Sequence, residues 1–126
     1  MSRKILIDTC AWIDFLRGKN GALGNAVERA LANDTALICG VVITELLQGA
    51  KGNKERQQLE FLFANVPCLN VESVDWINAG IALQALRTRG ITLPLTDAVI
   101  AAIAQRHGVP VLTVDAHFQH LPVTVI

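Results

Sequence analysis

Short apolar runs alternate along the chain with longer segments whose apolar residues recur at helical spacing. Three of the runs predict buried strands, at residues 4–7, 35–39 and 109–114. Residues 68–71 fit a further short strand and residues 122–126 an edge strand. The segments between them predict helices at residues 11–17, 22–32, 42–49, 54–64 and 73–88, and from Pro94 to His107. Strands separated by helices favour an α/β fold with a mostly parallel central sheet of four or five strands and helices on both faces.

Composition narrows the class of protein. A length of 126 residues and a hydrophobic fraction of 52% indicate one compact domain spanning residues 1–126. No apolar stretch approaches the length of a membrane span, and none is typical of a signal peptide. The three cysteines are odd in number and lack metal-ligand spacing, so we expect reduced thiols and a cytoplasmic location.

Four carboxylates stand where the predicted strands end or the following helices begin. Asp8 follows the first strand, and Asp115 follows the strand at residues 109–114. Glu45 lies in the helix after residues 35–39, and Asp97 lies in the first turn of the helix that Pro94 opens. Because sites in parallel sheets form beyond the carboxyl ends of the strands, we expect these four side chains to share one end of the sheet.

Each acid, taken alone, has a simpler interpretation. Asp8 is a favoured helix N-cap, Asp97 a favourable charge at a helix N-terminus, and Asp115 a turn residue. Glu45 fits a simpler interpretation least well, because its neighbours on both sides are apolar, although a salt bridge to an arginine would satisfy its charge. Together, however, four close carboxylates would repel one another, and a divalent cation would relieve that repulsion. Oxygen ligands suit Mg²⁺, with Mn²⁺ as a substitute.

Four segments carry a family resemblance, in the order "ILIDTCAWIDFL", "VVITELLQG", "LPLTDAVIAAIA" and "VLTVDAHFQHL". Together they resemble the PIN domain, specifically the VapC-type toxins of bacterial toxin–antitoxin systems, over nearly the whole chain. The resemblance implies a PIN-like fold and a Mg²⁺-dependent endoribonuclease. It places the catalytic and metal-binding acids at Asp8, Glu45, Asp97 and Asp115, with supporting hydroxyl groups at Thr9 and Thr113.

The resemblance also implies a reaction and partners. A metal-activated water would cleave RNA, with tRNA among the candidate substrates, and leave a 5′-phosphate and a 3′-hydroxyl. A VapB-type antitoxin would neutralise the enzyme, which would commonly form a homodimer. The chain departs from many relatives beside the last acid, where it carries Val114 and Ala116. That departure disfavours a fifth acidic ligand and a second tightly held metal.

Basic residues near the predicted site are candidates for RNA contact. The net charge of the chain is zero. If the four acids gather at one site, however, the remaining surface carries a net charge of about +4. The candidates are Arg17, Lys19, Lys51, Lys54 and Arg56. The loop at residues 49–56 is equally explained as a solvated turn.

Other interpretations stay open at this point. His117 and His120 would permit general acid–base cleavage without metal, although "HFQHL" favours inward packing of Phe118 and Leu121 with peripheral histidines. Apolar residues in the helix at residues 54–64 indicate either a second chain or an inhibitor helix, or burial within the monomer; they are Leu59, Phe61, Leu62 and Phe63. Alternative functions are a metal-dependent phosphohydrolase of small phosphoesters and a non-catalytic PIN-like binding module.

Overall fold

The computed structural model describes residues 3–18 and 21–126, which form a parallel sheet flanked by helices. The strands are β1 Ile5–Ile7, β2 Ala36–Cys39, β3 Cys68–Leu69 and β4 Val111–Leu112. The helices are α1 Thr9–Arg17, α2 Ala22–Ala32, α3 Gly40–Gln48, α4 Gly52–Ala64, α5 Ser73–Thr88 and α6 Leu95–His107, followed by a 3-10 helix at Ala116–His120. The α/β prediction is therefore confirmed.

The sheet has the order β3-β2-β1-β4, and every pairing is parallel. All four residues of β2 are buried, so both faces of the sheet are covered. The predicted edge strand at residues 122–126 is reduced to one bridge, which pairs Val125 with Val111. Because β1 lies directly beside β4, the residues that follow these two strands are neighbours in space.

The helices differ from their predicted bounds mainly at their first turns. Helix α1 begins at Thr9 rather than residue 11, because Asp8 has extended backbone angles and occupies the N-cap position. Helix α6 begins directly after Pro94, as predicted, and is buried from Asp97 to Ala104. None of the helices within the described residues is both long and apolar enough to cross a lipid bilayer.

An ion pair between a buried aspartate and a partly exposed arginine fixes α6 to the start of α5. The Asp75 carboxylate is fully buried and accepts hydrogen bonds from Arg106 Nε at 2.8 Å and Nη2 at 2.9 Å. The same Nη2 also donates to the backbone carbonyl of Asn70, 2.8 Å away, just after β3. The hydrogen bonds from Arg106 to the carboxylate lower the pKa of the Asp75 carboxyl.

We expect Asp75→Asn to lower the free energy of unfolding by about 2 kcal/mol at neutral pH, because it removes a charged partner of Arg106. Since the folded pKa of Asp75 is lowered, its contribution is present above the unfolded value of about 4 and is lost as the pH falls through the folded value. Urea titrations at pH 7 and pH 3 measure both effects. A difference between the two proteins that stays constant across this range would contradict the assignment.

Candidate functional site

Asp8 lies at the carboxyl end of β1, and its side chain faces the neighbouring strand end. It occupies the N-cap position of α1, yet its side chain makes no capping hydrogen bond. Instead, its Oδ2 accepts a 2.8 Å hydrogen bond from the Thr113 hydroxyl, and the Cys10 thiol lies 3.5 Å away. The carboxylate is buried at 5% exposure. Its side chain thus does not serve as a helix cap, which was the simpler interpretation of Asp8.

Thr113 connects the ends of β1 and β4. Its buried hydroxyl donates to Asp8 and accepts the backbone N–H of Asp115 at 3.0 Å. Cys10 Sγ lies 3.4 Å from the same hydroxyl oxygen, and burial raises the pKa of this thiol. One side chain therefore sets the spacing between the first and last acids of the chain.

Asp97 reaches the same place from the first turn of α6. The pKa of its carboxyl is raised, mainly because the carboxyl is buried. A hydrogen bond with His117 lowers this pKa, whereas the negative charges of Asp115 and Asp8 raise it. His117 Nδ1 lies 2.8 Å from Asp97 Oδ2 and 3.1 Å from Asp115 Oδ1, and the Thr113 hydroxyl links the Asp8 carboxylate to the Asp115 backbone. The predicted convergence at one end of the sheet is therefore present for Asp8, Asp97 and Asp115.

His117 is a member of this cluster that the sequence did not predict. Its Nδ1 lies 2.8 Å from Asp97 Oδ2 and 3.1 Å from Asp115 Oδ1. The expectation that both histidines are peripheral is wrong for His117, because Asp115 begins the 3-10 helix and accepts the His117 backbone N–H at 3.0 Å. His120 is exposed and Phe118 is buried, as expected. The sequence did contain one indication of this contact, because His117 lies only two residues after Asp115.

Glu45 stands at the edge of the cluster. Its Oε1 accepts a 2.7 Å hydrogen bond from the hydroxyl of Thr9, the residue that follows Asp8. Among the described residues, the side chains whose ligand atoms all lie within 4.8 Å of one another are those of Asp97, Asp115 and His117. Glu45 and Asp8 lie outside that group, so Glu45 joins the site through Thr9.

The donor atoms at this site suit a hard or borderline divalent cation. Carboxylate oxygens dominate, and one imidazole nitrogen accompanies them. An ion held by Asp97 and Asp115 would relieve the repulsion that contributes to the raised pKa of Asp97. The residues present therefore fit a bound divalent metal.

A groove of about 500 Å³ runs beside Glu45 between α1, α3 and α4. Ile13 and Leu16 of α1 form one wall and are 37% and 47% exposed. The predicted RNA-contact residues Arg17 and Lys51 line it as well. The groove therefore offers both apolar and basic contacts next to the acidic cluster.

The remaining predicted RNA-contact residues lie away from the groove lining or outside the described ranges. Lys54 is exposed on α4, and Arg56 on the same helix pairs with Glu60 at 3.2 Å, which offsets its charge. Lys19 lies outside the residues that the structure describes. Contact of these basic residues with RNA stays a prediction.

Comparison with known proteins gives consistent matches. Residues 5–123 match the PIN domain family. The chain is 36% identical over 118 residues to "Ribonuclease VapC11" of Mycobacterium tuberculosis, which covers 90% of this chain and 88% of that protein.

Solved structures share the fold at lower identity. A DNA-bound VapBC from Salmonella typhimurium has a TM-score of 0.84 at 21% identity, covering 99% of this chain and 98% of that one. VapBC2 from Rickettsia felis, bound to a promoter DNA fragment, has a TM-score of 0.81 at 17% identity, covering 97% and 96%.

Proposed function

This chain belongs to the PIN domain family, and from that premise we propose that it cleaves RNA at the cluster of Asp8, Asp97 and Asp115 with a bound divalent cation. It is an endoribonuclease toxin of the VapC type. The observation that supports the assignment of the site is the convergence of three aspartates from distant parts of the chain, through their contacts with Thr113 and His117. Mg²⁺ or Mn²⁺ suits the donor atoms, and tRNA is a candidate substrate.

The residues of the site would have different roles in the reaction. Asp97 and Asp115 would hold the ion, and Asp8 adds a third carboxylate whose orientation Thr113 fixes by its 2.8 Å hydrogen bond. A bound divalent ion polarises a phosphate oxygen and lowers the pKa of the attacking water. Glu45 would orient that water or accept its proton, while Thr9 holds the Glu45 carboxylate by a 2.7 Å bond. In-line attack at phosphorus would then break the P–O3′ bond, leaving a 5′-phosphate and a 3′-oxygen that takes a proton from water.

Metal removal tests this proposal directly. Purified protein incubated with total cellular RNA should release discrete fragments with Mg²⁺ or Mn²⁺, and none with excess chelator, because the carboxylates alone cannot polarise the phosphate. Asp8→Asn serves as the parallel variant, and its cleavage should be strongly reduced. Cleavage that persists in chelator would contradict the metal mechanism, and hydrolysis of a small phosphoester without any RNA cleavage would indicate a phosphohydrolase.

We also propose that a VapB-type antitoxin neutralises the enzyme by filling the groove beside Glu45. The structural neighbours from Salmonella typhimurium and Rickettsia felis are VapBC assemblies. The exposed apolar walls at Ile13 and Leu16 suit an amphipathic helix, and a chain lying there would block access to the acids. A cytoplasmic location is consistent with three free cysteines.

A second copy of this chain is our proposed partner for the exposed face of α5. Within the predicted partner helix, Leu59 is buried and Leu62 and Phe63 pack against the core, so Phe61 alone of the four is largely exposed, at 74%. Helix α5 instead exposes the larger apolar set, namely Val74, Trp76, Ile77 and Ile81. Between Ser73 and Leu86 the charged residue is Asp75, which is buried, so two such faces would meet without repulsion.

The homodimer is tested by the mass of the protein in solution. Ile81→Asp should convert a dimer into a monomer, because two carboxylates would meet in an apolar contact. Phe61→Asp is the matched control, since it places the same charge at a more exposed apolar position, and it should leave the dimer intact. Light scattering after gel filtration measures both. A dimer lost in Phe61→Asp but kept in Ile81→Asp would move the interface to α4.

A further inference from the structure

The imidazole of His117 is held with one nitrogen facing two carboxylates. Nδ1 lies 2.8 Å from Asp97 Oδ2 and 3.1 Å from Asp115 Oδ1. The His117 backbone N–H also donates to Asp115 Oδ1 at 3.0 Å, which fixes the start of the 3-10 helix. Backbone and ring are thus both tied to the acids, although the side chain remains 44% exposed at the mouth of the site.

The spacing of these three atoms matches that of neighbouring ligands around one ion. In an octahedral site with metal–ligand bonds of about 2.1 Å, adjacent ligand atoms lie about 3 Å apart. The distances from Nδ1 to the two oxygens, 2.8 and 3.1 Å, fall on either side of this value. A metal ligand and a residue that only hydrogen-bonds to the carboxylates differ in their effect on metal choice.

We propose that His117 Nδ1 is a ligand of the ion held by Asp97 and Asp115 and biases the site toward Mn²⁺ over Mg²⁺. The inference rests on the proposed function, and it adds a nitrogen ligand to the carboxylate set. Imidazole binds transition metals well, whereas Mg²⁺ prefers oxygen ligands and retained waters. An imidazole ligand therefore strengthens Mn²⁺ binding more than Mg²⁺ binding.

Pulsed EPR of Mn²⁺ bound to the full chain tests the nitrogen ligand. The wild-type protein should show a ¹⁴N coupling from a directly bound imidazole, and His117→Asn should lose it. His120→Ala is the matched control, because it removes the exposed histidine three residues further on and should keep the coupling. Absence of the coupling in wild-type protein with Mn²⁺ bound would overturn the proposal.

Metal affinities separate a ligand from a residue that only orients the carboxylates. In His117→Asn the affinity for Mn²⁺ should fall by at least roughly 10-fold, and that for Mg²⁺ by much less. Equal losses for both ions would assign His117 a positioning role and overturn the proposal.

RNA cleavage by the wild-type protein distinguishes this inference from the function on which it rests. Metal-dependent cleavage by a protein whose bound Mn²⁺ shows no nitrogen coupling rejects the nitrogen ligand alone. Cleavage that continues in chelator rejects the metal mechanism, whatever the nitrogen coupling of bound Mn²⁺ shows.

Discussion

Asp97→Asn should reduce the rate of RNA cleavage more than about 100-fold, because replacing even an outer partner of a metal ligand costs about 10- to 100-fold. Asp97 is buried, contacts His117, and is electrostatically coupled to both Asp8 and Asp115. An amide of the same shape removes the charge that holds a cation while leaving the packing of α6 unchanged. Initial rates on a defined RNA, measured with saturating Mg²⁺ and again with Mn²⁺, give the effect.

The melting temperature shows whether Asp97→Asn loses activity because a charge is missing or because the protein no longer folds. Since Asp97 is repelled by Asp115 and Asp8, its neutral variant should melt at the same temperature as the metal-free wild-type protein or at a higher one. Asp34→Asn is the matched control: it makes the same substitution at an exposed position with φ of 58°, a conformation that Asn tolerates. Its cleavage rate should be unchanged. Full activity in Asp97→Asn would remove this residue from the site.

Expression of the wild-type chain without its antitoxin should abolish colony formation, and Asp8→Asn should restore it. The physical reason is that Asp8 supplies the carboxylate that Thr113 orients toward the strand end beside Asp115. Colony counts after induction, with equal protein levels confirmed by immunoblot, measure the effect. Equal growth arrest by wild-type protein and Asp8→Asn would mean that toxicity does not arise from this site.

The groove supplies the complementary experiment. Leu16→Asp places a charge on the exposed apolar wall and changes none of the four acids, so it should leave the arrest intact. Coexpressed antitoxin should then rescue cells that carry the wild-type toxin and fail to rescue those that carry Leu16→Asp. Gln57→Asp, which adds the same charge at an exposed position of α4 outside the groove lining, should be rescued normally. Rescue of Leu16→Asp would place the antitoxin on another surface.

The order and type of most elements were determined by local patterns. Buried parallel strands require continuous apolar runs, and "ALIC" of β2 is such a run, buried at each position. Gly108 ends α6 in the left-handed conformation that favours glycine, so that boundary was also predictable. The edge strand predicted at residues 122–126 was less predictable, because the length of a strand depends on which neighbour is available for pairing. In the structure this segment forms one bridge, between Val125 and Val111.

The part of the candidate site that could be predicted consists of the acids that come after a strand or at the start of a helix. Parallel strands bring their carboxyl ends together, so Asp8 and Asp115 had to be neighbours once β1 and β4 paired. The position of Asp97 in the first turn of α6 follows from Pro94, which starts that helix. These relations depend on backbone direction, which the apolar pattern and the helix boundaries encode.

The contacts within the site depended on tertiary packing. The 3-10 helix after Asp115 turns His117 onto Asp97, a residue 20 positions away in the chain, and Glu45 meets Thr9 rather than the other acids. Similarly, only packing shows that α4 buries Leu59 while α5 leaves Ile77 and Ile81 exposed. The sequence by itself therefore determined the elements and the end of the sheet at which the acids gather, because both follow from local periodicity. The tertiary structure decided which side chains touch, because contact depends on side-chain direction and on neighbours that are distant in sequence.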